Sequence, residues 1–348
     1  MKLHCVLHID TCRTVQIRGI LNLTYSIRQE SRSSYMRKND VNTENLMLQL
    51  QKFLEEHEDE MIDEQSIDRL QEQFMTEHAA MLEPASTEPE TAYDYLELAQ
   101  EARSKKQRMA YLNKAVEVEP DNVDAQLELL LNTHENKPAA QLPELKKLLE
   151  AEEAKLKKIG VFQESMGDFW LDIETRPYMR VYHTYFETLL ACGMLRQAIH
   201  AGERMLELCE NDNLGVRYQL MHLYVQMEDE MHALALHKRY NSYEETQMLL
   251  PLTVLYYKLN QFDKAGAYLN RLASVNKDTK KFLRLAVKKD MHAMLAEQDW
   301  YGYQPMTIQE LVEEFLNSMY LFRSVPFFFE WAQQYLRAQT AAKRKKPK

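Results

Sequence analysis

Residues 176–213 read RPYMRVYHTYFETLLACGMLRQAIHAGERMLELCENDN, and the rhythm of this stretch runs on to Lys277. Apolar residues recur at helical spacing, then stop at Gly193, at Glu228-Asp229 and at Asn260. Five residues after each break stands a small residue: Ala198, Ala233 and Ala265. A small side chain at a fixed place in a recurring helix pair marks the point where two helices cross, because a larger one would push them apart.

Aligned on these alanines, the units run over 179–212, 214–245 and 246–279. The first helix of each unit supplies aromatic or aliphatic core: Tyr182, Tyr185 and Phe186; Leu220, Met221 and Tyr224; Leu249, Leu252 and Tyr256. A period of about 34 residues with two helices per unit is that of a tetratricopeptide-type array. The predicted fold class is therefore all-α, a tetratricopeptide-like helical-repeat solenoid of antiparallel helix pairs. Composition agrees, since the 348 residues hold only 8 glycines, too few for many tight turns or phosphate loops.

Charge is unevenly spread. Residues 1–35 hold five Lys/Arg against two acids, and 341–348 hold five bases and no acid; removing both from totals of 43 bases and 53 acids leaves 33 bases and 51 acids in residues 36–340. An acidic body argues against phosphate binding as the main activity. Cys5, Cys12, Cys192 and Cys209 show no CxxC spacing, which fits a reducing, cytoplasmic setting. No run approaches the roughly 20 apolar residues of a membrane span, and His4, His8, Asp10 and Arg13 interrupt any secretory apolar region.

The chain divides as follows on this reading. Residues 1–35 are basic and aperiodic, a doubtful leader with Met36 as the expected start. Residues 36–82 form N-terminal helices, and 83–91, with the stretch EPASTEPE, form a linker. Residues 92–160 comprise a first repeat and a charged helix. In that repeat Tyr93, Leu96, Leu98 and Ala99 face Met109, Leu112, Ala115 and Val116, Pro120 ends the second helix, and Asp121 or Asn122 caps the next. Prolines 138 to 143 should precede a helix over 144–158. Residues 161–279 carry a capping segment with Phe162, Phe169 and Trp170, then the three main repeats. Residues 280–340 form C-terminal helices, including a capping box Thr307-Ile-Gln-Glu310 before a helix from Leu311 to Phe322. Residues 341–348 are a basic, disordered tail.

Arg176 to Arg180, Cys192 to Ile199 and Asn211 to Tyr218 resemble the "RPYMRA", "LG-x-x-x-EA" and "NDNQG-I/V-RY" motifs of bacterial tetratricopeptide-repeat proteins related to the suppressor-of-tumorigenicity-7 type. Leu214 replaces the Gln, and Gln197-Ala198 replaces Glu-Ala. The resemblance implies an all-helical repeat fold and brings no enzymatic activity with it.

No phosphate loop, HExxH or GxSxG motif occurs. Cys5, His8 and Cys12 supply only three ligands outside any zinc-binding frame. The expectation is a non-enzymatic scaffold or adaptor with no cofactor and no metal, binding a protein or peptide in the concave groove of the array. In such repeats the first helices line that groove, here through Arg180, His183 and Glu187, through Tyr218, His222 and Gln226, and through Gln247, Tyr257 and Lys258. Aromatic, amide and imidazole groups suit an extended peptide. The repeats that clamp chaperone tails need Lys and Asn where this chain has His183, Tyr218 and Leu250, then Glu187, His222 and Val254; that role is not expected. The rival reading is a regulatory or nucleic-acid-associated factor acting through the basic C-terminal tail.

Overall fold

The computed structural model describes residues 89–298 and 304–345, with side chains to Ala341, and scattered positions between 50 and 76. The expectations for residues 1–35 and for most of 36–88 fall outside the described residues. Every regular element among the described residues is helical. Contacts divide the chain after Gly193 into two compact units, so the first of the three main repeats is shared between them.

The first unit opens with α1 (Ala92–Glu101), α2 (Lys105–Val118) and α3 (Val123–Thr133). Thr91 and Asp94 form a reciprocal capping box on α1, Ser104 caps α2, and Asn122 accepts from the Ala125 N–H to cap α3. Ala92, Leu96 and Ala99 bury against Leu112, Ala115 and Ala125. The charged helix α4 spans Pro138–Lys158, not 144–158 alone. Pro138 occupies the first turn, where a missing N–H costs nothing, and Pro143 lies inside the helix. After α5 (Val161–Glu164) and a 3₁₀ turn (Ile173–Thr175), α6 (Arg176–Ala191) packs against α4. Phe162, Phe169 and Tyr178 are buried and meet edge to face at 5.1–6.2 Å. Two of the three aromatics of the capping segment are thus core; Trp170 is half-buried beneath the Arg176 guanidinium.

The second unit holds α7 (Leu195–Leu208), α8 (Val216–Gln226), α9 (Glu230–Arg239), α10 (Thr246–Lys258) and α11 (Phe262–Val275). The breaks at Glu228 and Asn260 have one physical form. Each residue is left-handed, at φ 59° and 58°, and the next N–H donates to the carbonyl five residues back, Asp229 to Tyr224 and Gln261 to Tyr256. This is the Schellman ending of a helix. Ala198, Ala233 and Ala265 are fully buried. Tyrosine hydroxyls tie successive pairs, Tyr224 to Glu203 at 2.8 Å and Tyr256 to Glu230 at 2.9 Å.

Five further helices complete this unit: α12 (Thr279–Lys288), α13 (Met291–Leu295), α14 (Ile308–Asn317), α15 (Met319–Arg323) and α16 (Phe328–Lys345). The single helix expected over 280–296 ends at Lys289, which is left-handed at φ 56°. The helix expected to Phe322 breaks at Ser318, whose hydroxyl donates to the Glu314 carbonyl. The last helix continues to Lys345, into the stretch expected to be a disordered tail. Phe282, Phe315, Phe322 and Phe329 cluster at 5.0–6.1 Å and join α12, α14, α15 and α16. Gly266 lets the Tyr335 ring of α16 lie on α11, where a Cβ would collide with it.

Two outcomes test this packing. Ala233→Leu and Ala265→Leu each overfill a fully buried crossing and should cost about 1–3 kcal/mol in urea unfolding, while Ala139→Leu on exposed α4 surface stays within about 0.5 kcal/mol. In the first unit, burial and then the Asp124 carboxylate push the Glu128 carboxyl above its ordinary value, against Arg108 and Asn132. A raised folded value gives stability that is full below the unfolded value and is lost as pH rises through the folded one. Glu128→Gln should therefore be more stable than the parent at pH 7, with the gap closing on acidification toward the ordinary carboxyl range; urea midpoints across that span measure it.

Candidate functional site

The face on which the sequence places a groove is carried in the second unit by α8 and α10. Their start points are fixed by side chains. The buried Asp212 carboxylate accepts the N–H of Val216 at 2.7 Å and of Arg217 at 3.0 Å, capping α8. Its burial pushes its own carboxyl up despite these bonds and the Arg217 guanidinium. Lys258, at the end of α10, donates to the carbonyls of Val225 and Gln226 at 3.0 and 2.9 Å, closing the C-terminus of α8.

The chain's own α14 lies on this face. Glu310 and Glu314 stand one turn apart and are 5 and 3 % exposed. The Glu314 carboxylate meets His222 Nε2 at 2.5 Å. The Glu310 carboxylate accepts from the Thr246 hydroxyl at 2.5 Å and from the Met306 N–H at 3.0 Å, with Asn276 Nδ2 at 3.4 Å. Asn276 also donates to the Thr307 carbonyl at 2.8 Å, and Asp278 accepts the Ile308 N–H at 3.1 Å. The capping box expected at Thr307 and Glu310 does not form: the Thr307 hydroxyl donates to the Gln304 carbonyl. Glu310 serves the face, and Asp278 serves the helix start.

The nine residues expected to line a groove are divided between the two units. Arg180, His183 and Glu187 belong to the first unit. Arg180 holds the buried Asp124 through two bonds, Nε to Oδ1 at 2.8 Å and Nη2 to Oδ2 at 2.6 Å, so it fastens α6 to α3. His183 and Glu187 are half-buried, His183 beside Phe186. In the second unit, His222 is buried under α14. Tyr218 donates to Glu245 at 2.6 Å under the Arg217 guanidinium; burial and that bond raise its pKa. Tyr257 packs among Phe262, Phe328 and Trp331. Gln226 and Gln247 are half-buried.

Thr246, Asn276 and Glu314 carry no expectation from the sequence, and Glu310 only that of a helix cap. Glu310 and Glu314 carry the one available signal: two acids four apart beside Leu311 and Phe315 on a strongly apolar helix, where solvated acids would face away. Among the described residues no group of His, Cys, Asp and Glu could hold a metal. Cys192 is half-buried and Cys209 buried, both free thiols, and burial raises the Cys192 thiol pKa. Cys5, His8 and Cys12 lie outside the described residues. No helix among those described is long and apolar enough to cross a membrane.

Arg180→Ala would leave Asp124 buried and uncompensated and should cost about 3–5 kcal/mol in chemical unfolding; Arg180→Met with Asp124→Leu, which removes both charges, should cost much less. Comparison with protein-family models and with curated proteins returns no match, so what the chain does rests on its own geometry.

Proposed function

We propose that this chain is a non-enzymatic adaptor of the cytoplasm, a tetratricopeptide-like array that holds a helical segment of a protein partner on the face of α8 and α10. The recurrence of the Schellman turn at Glu228 and Asn260 and of the buried alanines supports the repeat reading. The observation that carries the function is the seating of α14 by His222, Thr246 and Asn276 on Glu314 and Glu310. A buried polar seat selects which helix fits and in which register, yet adds little net stability over apolar packing. Such a seat suits an exchangeable ligand. The partner, on this reading, is a helix with two carboxylates four residues apart and apolar neighbours, and it competes with α14.

A labelled peptide of residues 304–323 tests exchange. Glu310→Ala with Glu314→Ala in the full chain should speed amide exchange over 308–317 and create peptide binding in the micromolar range that the parent chain lacks. Adding His222→Ala should abolish that gained binding. No gain in a variant whose helicity by circular dichroism is intact, or a gain that survives His222→Ala, would overturn the reading.

A further inference from the structure

On another side of the second unit, α12 and α16 pack together with a groove of 590 Å³ along their line of contact. Its floor is apolar, formed by Leu283 and Leu336. Its rim is basic: Lys280 and Arg284 on α12 and Arg337 on α16, all exposed. Lys280 reaches across to the Thr340 hydroxyl at 3.2 Å. Among the described residues, none of the three cations makes an ion pair. Residues 36–340 hold 51 acids against 33 bases, so three cations without an ion pair among the described residues, set around an apolar floor, form a local field of opposite sign.

The spacing says what would fit. Lys280 and Arg284 lie four apart on one helix, about 6 Å along its axis. Acids four apart on a second helix share that spacing. An apolar residue between them would meet Leu283 and Leu336. The same unit already accepts a helix of this kind, since α14 presents Glu310 and Glu314 with Leu311 and Phe315 between and beyond them. A groove of this size with convergent polar groups is in the range that takes a ligand, and two parallel ridges of side chains favour a helix laid between them.

We propose that the α12–α16 groove docks an acidic amphipathic helix of a partner protein, with Lys280, Arg284 and Arg337 meeting its carboxylates and Leu283 and Leu336 its apolar stripe. This surface is separate from the face under α14 and does not depend on exchange there.

The test uses the full chain and a labelled helical peptide with Glu at four-residue intervals beside a Leu stripe, read by fluorescence anisotropy. The Glu peptide should bind, and binding should weaken as salt rises from about 50 to about 300 mM. Arg284→Glu with Arg337→Glu should weaken it at least about tenfold, and Arg284→Gln with Arg337→Gln by less. Lys146→Glu with Lys147→Glu, a reversal on exposed α4, should leave it unchanged. Several results would overturn the proposal. One is equal binding by the folded charge-reversal variant. Others are equal binding of a Lys-for-Glu peptide, or loss on removing residues 342–348. Displacement by a single-stranded oligonucleotide would assign the cations to nucleic acid instead, and displacement by oleate to a small amphiphile.

Discussion

Two carboxylates out of water govern the second unit. Burying an ion costs several kcal/mol unless charge or hydrogen bonds replace its hydration, and Glu310 and Glu314 lie on the inner face of α14. Their compensation comes from three different helices or their ends: His222 from α8, Thr246 from the start of α10, Asn276 from the end of α11. No local segment can supply this set. These helices must be packed together before the carboxylates have partners, and α14 can sit in only one register once they are. The phenylalanines of α12, α14, α15 and α16 then supply the non-directional packing that polar pairs lack.

Turn chemistry sets the helix ends on which that packing depends. A chain with 8 glycines needs more left-handed helix ends than Gly160 and Gly193 supply, and it places other residue types there as well. Asn136, Asn241 and Asn260 occupy such positions with little cost, since a short amide tolerates them. Glu228 and Lys289 have no such excuse and are held by the Schellman hydrogen bonds that follow them, Asp229 to Tyr224 and Asp290 to Leu285. The helix pairs are thus punctuated by backbone geometry more than by glycine or proline.

This explains what could be read from residue order. The buried alanines and the breaks ahead of them are local and periodic, so Ala198, Ala233 and Ala265 were legible, as were Phe186, Leu220 and Leu249 in the core. The end of the helix at Lys289 was not, because lysine is a good helix former and only the Leu285 carbonyl, satisfied from Asp290, records the stop. Arg180 looked like a groove residue by register; its partner Asp124 lies 56 positions earlier, and no periodicity reports a pair that distant. Thr307 and Glu310 matched a capping pattern, yet Glu310 had stronger claims from Thr246 and Asn276. Sequence spacing identified the surface on which His222 lies and could not show that the chain itself covers it.

Charge separates the two faces of this unit. Under α14, the Glu310 and Glu314 carboxylates meet hydroxyl, amide and imidazole groups of the chain itself. Along the α12–α16 groove the order is reversed: Lys280, Arg284 and Arg337 line it, and among the described residues no acid pairs with them. An acidic protein could have neutralised Lys280, Arg284 and Arg337 with any of its many carboxylates at small cost, as it does for Lys281 with Glu297 at 2.8 Å on the same helix. Lys281 shows that α12 can pair its bases when an acid stands opposite. With none across the groove among the described residues, the field there has as its complement a negatively charged surface with an apolar centre, and a helix of the α14 type has that composition.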